Sequence, residues 1–459
     1  MSLSDHPKAY GTAALTVAFV AGIFVTLGFK DLYPELENRY QQRLNRNRNA
    51  RRRNSTNTSS RRDSFLFGGP VSLEDRESSF TTIDRGLGIV DGIAGTIGNT
   101  PLVKIRSLSE ATGCIILAKA EFLNGAGNSP KDRVALNMIE VAEQKGLLVP
   151  NRGDTIYEGT VGSTGISLAV LARAKGYKCH ICMPSDMAIE KVELLHHLGA
   201  TVERVTPAPI TDPKHFVNLA RQRAKEHTLS SETESRGFFA DQFESLANYT
   251  AHMKTTGPEI YEQTGGLIDA FVAGAGTGGT ISGVTKYLKE EKKLTNLKVV
   301  LADPQGSGLY NKIRHGVMYS STEKEGTRRR AQVDTMVEGI GINRITENFE
   351  SARSLIDDAV RVTDLQALRM ARWLVEHDGI FIGSSSAVNC VAAVMTALKM
   401  PKGSQVVTIL CDSGSRHLSK FWKSVGELGL EHNEEEKGGE REEDLIEVLG
   451  LERPGQSEK

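Results

Sequence analysis

"DAFVAGAGTGGTISGV", residues 269–284, runs from an apolar stretch through Gly274, Gly276, Gly278 and Gly279, with Thr277 and Thr280, into a helix. A strand that ends in a glycine turn and continues as a helix is the repeating unit of a parallel α/β sheet. Backbone N–H groups in such a loop, with the helix dipole behind them, cradle a phosphate. The same residues satisfy G-x-G-x-x-G at Gly274, Gly276 and Gly279, and Asp303 closes the next apolar run. On this stretch alone a dinucleotide is therefore an open alternative.

The rest of the body from about residue 85 follows the same alternation. "CIILAKAEF", "DTIYEG", "KCHICMP" and "ATVERV" read as strands, separated by the glycine-closed helices "KDRVALNMIEVAEQKG", "TGISLAVLARAKG" and "AIEKVELLHHLG". They predict one smaller βα block over about 115–235. "DAFVAG", "LKVVLAD" and "VVTILCD", with helices near 247–263, 280–291, 364–378 and 385–399, predict a second sheet. Residues 306–345 lack clear periodicity and read as a long ordered connection near the site.

Two further stretches offer chemistry. In "NSPKDRVALNMIE", Ser129 suits an N-cap and Pro130 a first helical position, which puts Lys131 in the first turn. An ammonium there opposes the helix dipole, and burial would favour the neutral amine that a Schiff-base lysine needs. A solvated lysine at a helix start is the plain alternative. In "EGTVGSTGISLAV", Gly159, Gly162 and Gly165 form a strand-to-helix turn where Thr160, Ser163 and Thr164 could meet a carboxylate. An ordinary glycine turn would look the same. One phosphate cradle, one carboxylate turn and one amine together describe pyridoxal phosphate carrying an amino acid. Cys179 and Cys182 form a CxxC without a second pair and read as buried strand cysteines.

Composition narrows the partners. With 56 basic and 57 acidic side chains among 459 residues, the net charge of −1 argues against a nucleic-acid binder with a broad basic face. The five cysteines follow no framework spacing, which suits a reducing compartment. Residues 9–29 carry no charge and are long enough as a helix to cross a membrane. Eight arginines between Arg43 and Arg62 follow, so the positive-inside rule puts the body in the cytosol. Such a span with a basic flank fits a mitochondrial outer-membrane anchor, the endoplasmic reticulum being the alternative. Residues 30–84 read as a flexible basic linker, 85–430 as the catalytic body and 431–459 as an acidic tail.

The ordered motifs "IGNTPLVKI", "SPKDRVALNMIEVAEQKGLL", "GSTGISLA", "FFADQFES", "HMKTTGPEIYEQTGG", "FVAGAGTGGTISGV", "VEGIGI" and "CDSGSRHLS" extend from residue 97 to about 422. On these residues the chain resembles the cysteine synthase and cystathionine β-synthase family of fold-type II pyridoxal-phosphate enzymes. The anchor in front of such a body resembles a fungal branch of that family placed at mitochondria. The resemblance implies a tryptophan synthase β-like fold: two three-layer αβα domains with mostly parallel sheets, here preceded by one transmembrane helix. It implies a homodimer that uses pyridoxal 5'-phosphate, an amino-acid substrate and sulfide, and forms L-cysteine from O-acetyl-L-serine through an α-aminoacrylate. A cystathionine β-synthase or a serine/threonine deaminase is the nearest alternative activity. A membrane-tethered cofactor-binding protein without turnover is another.

Residue by residue, the resemblance makes Lys131 the lysine that binds the cofactor and acts as acid and base. Gly276, Thr277, Gly278, Gly279 and Thr280 match the phosphate loop, and Ser413 matches the serine at the pyridine nitrogen. Thr160, Gly162, Thr164 and Gln242 match the carboxylate pocket. The turn departs from the family pattern of proline followed by T-S-G-N-T-G: Gly159 stands for the proline, Val161 for a serine, and Ser163 for the asparagine that bonds the cofactor's ring hydroxyl. The "NGAGNSPK" approach to Lys131 is one residue longer than usual.

Overall fold

The computed structural model describes residues 89–187, 189–230, 234–318, 335–430 and 444–453. The chain divides into two units, Met1–Pro70 and Val71–Lys459, and every described residue belongs to the second. The expected span 9–29, the linker 30–84 and most of the tail 431–459 lie outside the described residues. Among those described, no helix is long and apolar enough to cross a membrane.

Among the described residues, ten strands form two sheets. They are β1 (Leu102–Lys104), β2 (Ile115–Ala120), β3 (Thr155–Gly159), β4 (Lys178–Pro184), β5 (Thr201–Val205), β6 (Gly237–Phe239), β7 (Ala270–Gly274), β8 (Lys298–Pro304), β9 (Asp358–Val362) and β10 (Gln405–Leu410). The larger sheet has the order β1-β2-β10-β7-β8-β9, and the smaller β5-β4-β3-β6. Only β1 runs antiparallel to its neighbour; every other pairing is parallel.

The period-2 alternation of a strand explains why both faces of the larger sheet are covered. Ile116, Ala118, Val272, Val300 and Val406 pack toward helices Asp364–Asp378 and Ser384–Ala397. Their neighbours Ile115, Leu117, Phe271, Val299 and Val407 pack on the opposite side with Ile260, Ile281 and Leu288. The smaller sheet repeats the scheme. Ile156, Cys179 and Ile181 meet helices Lys131–Gln144 and Ser163–Ala174, whereas Cys182 meets Phe216 and Ala220 of helix Phe216–Leu229.

One strand sits elsewhere than its position in the chain suggests. Ile115–Ala120, expected in the smaller block, pairs with β10 and β1 in the larger sheet. All six of its residues are buried, as suits a strand covered on both faces. Periodicity identifies such a strand but does not choose its partners.

Candidate active site

The carboxyl ends of β3, β7 and β10 open on one cavity of about 800 Å³. Ligands in open α/β sheets bind at such strand ends. Lys131, Thr160, Gly162, Ser163, Thr164, Gln242, Gly276, Thr277, Gly278, Gly279 and Thr280 all border it, so residues far apart in the chain share one wall.

Lys131 begins helix Lys131–Gln144, one residue after Pro130, whose φ of −60° and ψ of −15° are already helical. The N-cap of this helix is Pro130, with no side-chain capping bond, rather than the expected Ser129, whose hydroxyl accepts the Lys131 N–H at 3.3 Å. The approach to Lys131 is tied down by Asp132, which accepts from Gly127 N at 2.7 Å and Ser167 Oγ at 2.6 Å. Burial lowers the amine's pKa, partly offset by electrostatic interaction with Cys411 and Asp412. Two residues on, Arg133 binds Glu121 at the end of β2 (2.8 Å) and Glu259 (2.6 Å), and Glu259 also pairs with the fully buried Lys119 at 2.6 Å. This network fastens the lysine's helix to the larger sheet.

The glycine loop leaves no room for side chains. Gly278 has a φ of 84°, and a Cβ there would lie 2.6 Å from that of Phe349. A Cβ at Gly276 would strike the Gly339 carbonyl, and one at Gly279 the Asn248 side chain. Thr277 accepts from Asn248 Nδ2 at 2.9 Å, and Thr280 meets His252 Nε2 at 3.2 Å. His252 is fully enclosed, and its pKa is pushed down to about 3, which keeps it neutral.

In the turn after β3, Thr164 donates to Gln242 Oε1 at 2.6 Å, and both are buried. The Gly162 N–H lies 3.4 Å from Thr160 Oγ1. Gly159 stands where the family carries proline because helix Phe216–Leu229 is too close: a Cβ there would lie 2.5 Å from Val217 Cα. Val161 packs beside Cys182 and Phe216, which accounts for an apolar residue at that position.

Ser413, expected at the pyridine nitrogen, does not border the cavity. Its hydroxyl accepts the Ser415 N–H at 3.3 Å and lies 3.1 Å from the Ser415 hydroxyl, so it serves its own turn. Ser385, 4% exposed, in the first turn of Ser384–Ala397, does border the cavity, as do Ser129, Ser163, Ser415 and Ser419. Its two neighbours are committed to backbone, Ser384 accepting from Glu338 N at 3.0 Å and Ser386 from Cys411 N at 2.8 Å. Three serines opening an apolar helix, "GSSSAVNC", were the available signal. Val337–Arg344, within the aperiodic 306–345 stretch, also lines the cavity and is held by Gly341 N donating to Ala275 O at 2.8 Å.

Cys179 and Cys182 are buried on opposite faces of β4. His180, Cys182 and Glu203 converge, but Arg223 holds Glu203 at 2.9 Å and burial pushes the Cys182 thiol up to about 12.

A parallel-stranded α/β body with a partly buried lysine and a glycine loop at one set of strand ends defines an enzyme built around a phosphorylated carbonyl cofactor. The model for pyridoxal-phosphate dependent enzymes matches residues 93–412, and the chain belongs to that family. It is 74% identical over 459 residues to the cysteine synthase 2 of Neurospora crassa, covering 98% of this chain and 99% of that one. A Saccharomyces cerevisiae relative, a cysteine synthase with the word mitochondrial in its name, is 57% identical over 338 residues, covering 74% of this chain and 85% of that one. The crystal structure of O-ureido-L-serine synthase matches with a TM-score of 0.63 and 30% identity, over 73% of this chain and 96% of that one. The fold is tryptophan synthase β-like, and the cofactor is pyridoxal phosphate. The residues present fit it: a loop whose glycines pack too closely on Gly339, Phe349 and Asn248 for any Cβ, and Lys131 and the buried Ser385 bordering the same cavity.

Proposed function

We propose that the chain is a cysteine synthase, making L-cysteine from O-acetyl-L-serine and sulfide by replacement at the β carbon. The observation that carries this is the convergence of Lys131, the Gly276–Thr280 loop and the Thr160–Thr164 turn with Gln242 on one cavity. The 74% identity to a cysteine synthase 2 supports the choice of substrates.

Bound pyridoxal phosphate supplies an electron sink for charge developing at the substrate Cα. Gly276, Thr277, Gly278, Gly279 and Thr280 would hold its phosphate, Ser163 its ring hydroxyl, Ser385 its ring nitrogen and Lys131 its aldehyde carbon. A hydroxyl partner at the ring nitrogen is neutral. Thr160, Gly162, Thr164 and Gln242 bind the substrate carboxylate, with Thr164 and Gln242 holding each other in place. Lys131 Nζ removes the Cα proton, acetate departs from Cβ, sulfide adds there, and Lys131 returns the proton to Cα. Burial serves this cycle because a lowered amine pKa leaves more of the lysine neutral to accept the proton. Val161 presents an apolar wall on one side of the carboxylate turn. Closure of the smaller sheet and its helices over the substrate excludes water.

The decisive experiment incubates purified, cofactor-loaded protein with O-acetylserine and sulfide and measures cysteine. No cysteine from O-acetylserine, with turnover of another serine-like substrate, would overturn the substrate assignment. The same proposal makes the enzyme a homodimer at the mitochondrial outer membrane, held by residues 9–29 with its body in the cytosol. The uncharged run, the arginines after it and the name of the yeast relative support that location. Protease should remove the body from intact mitochondria; full protection would refute the orientation.

A further inference from the structure

The phosphate loop and the carboxylate pocket come from different parts of the chain, yet one side chain bonds to both. Asn248, at the start of helix Ala247–Lys254, is fully buried and does not itself border the cavity. Its Nδ2 donates to the Gln242 carbonyl at 2.7 Å and to Thr277 Oγ1 at 2.9 Å. Gln242 in turn accepts the Thr164 hydroxyl at 2.6 Å. Hydrogen bonds therefore run from Thr164 through Gln242 and Asn248 to Thr277.

The partners fix which way the amide points. A peptide carbonyl only accepts, so the atom facing Gln242 O is the nitrogen. An amide nitrogen only donates, so in the second bond the Thr277 hydroxyl is the acceptor. The Gly279 N–H also lies 3.4 Å from Thr277 Oγ1. A hydroxyl approached by donors turns its own proton away from them. No described residue accepts that proton, and Thr277, 5% exposed, borders the cavity.

The loop makes room for this amide. A Cβ at Gly279 would lie 1.9 Å from Asn248 Oδ1, so the asparagine occupies the space that a side chain on the loop would need. That Oδ1 is buried without a hydrogen-bond partner among the described residues, a costly arrangement that accompanies the two bonds of the nitrogen. The Gln242 carbonyl has a second donor, Asn348 Nδ2 at 3.2 Å, whose shorter bond of 2.7 Å goes to Phe243 O. Among the described residues Thr277 Oγ1 receives no side-chain donor besides Asn248.

We propose that Asn248 is a positioning residue for the cofactor: anchored on Gln242, it holds the Thr277 oxygen as an acceptor and so leaves the Thr277 proton to bind the phosphate. The inference rests on Gly276–Thr280 as the phosphate loop of a pyridoxal-phosphate enzyme.

The test titrates the full chain, stripped of cofactor, with pyridoxal phosphate and separately with pyridoxal, and follows absorbance. Asn248→Leu, of similar shape but without donors, should weaken pyridoxal phosphate about fivefold, the scale of one hydrogen bond, and leave pyridoxal within about twofold. In a Thr277→Val background the same change should have no further effect beyond about twofold, whereas in Thr277→Ser, which keeps the hydroxyl, the full effect should remain. Equal weakening of both ligands, independent effects of Asn248→Leu and Thr277→Val, or an unmoved affinity in Asn248→Leu overturns the proposal. Should Asn248→Leu fail to fold, equal pyridoxal phosphate affinity in Thr277→Val and Thr277→Ser is sufficient to reject it. No turnover is measured, so a wrong substrate assignment leaves the result intact. A wild-type chain that binds pyridoxal phosphate no better than pyridoxal would instead remove the phosphate loop itself, and the proposal with it.

Discussion

A lysine at a helix start is an unremarkable residue until its surroundings are known. "NSPK" shows a helix start, at which Pro130 rather than Ser129 takes the cap, but the lowering of the amine's pKa comes from burial by parts of the chain far from Lys131. Lys131→Ala should lose the cofactor's visible colour and lower cysteine formation by at least about 100-fold, the scale of a general acid–base residue. Colour retained at full strength would refute its role. The two serines make a sharper comparison. Ser385→Ala should lower kcat/KM by about tenfold, corresponding to one hydrogen bond of about 1.4 kcal/mol, and Ser413→Ala by no more than about twofold. Steady-state kinetics on both variants decides, and the reverse order would restore Ser413. "CDSG" lies directly after a strand and so attracts the assignment, yet its hydroxyl is used within its own turn.

At the scale of elements, the helix that carries Lys131 is held by ion pairs rather than by its apolar stripe alone. Burial would raise the pKa of Glu121, but Arg133, with help from Lys119 and Thr100, holds it at about 2. Because the folded value lies below the ordinary 4.5, the stabilisation is complete at neutral pH and is lost as pH falls from 4.5 toward 2. Arg133→Met should cost about 3–5 kcal/mol, because Glu121 stays buried without its cation. It should also flatten the fall of stability with acid over that range, as chemical denaturation at several pH values would show. An unchanged acid limb would mean that Glu121 does not titrate as described. Gly159 is the second element-scale case. Gly159→Ala should destabilise by about 1–3 kcal/mol through overpacking against Val217, measured by thermal unfolding. Stability equal to wild type would show that helix Phe216–Leu229 can shift and that the departure from proline has another cause.

At the scale of the whole molecule, the catalytic body carries both sheets and the complete cavity between residues 89 and 430. A chain beginning at residue 85 should therefore be recovered in the soluble fraction, with kcat/KM within about twofold of the full chain, since no cavity residue is removed. Fractionation and kinetics together check this, and a soluble but inactive fragment would mean that the first 84 residues serve the site. Strand and helix positions were largely legible beforehand because period-2 and period-3.6 patterns are local. So were the three motifs that carry chemistry, because a glycine loop, a hydroxyl-rich turn and a lysine at a helix start are each contiguous. The sequence by itself marked seven of the ten described strands, missing β1, β6 and β9, along with the glycine turns and the residues that could hold a phosphate, a carboxylate and an amine. Only the tertiary structure decided that β2 belongs to the larger sheet and that Ser385 rather than Ser413 borders the cavity. Those outcomes depend on strand pairing and on distances between segments remote in the chain, which no local pattern encodes.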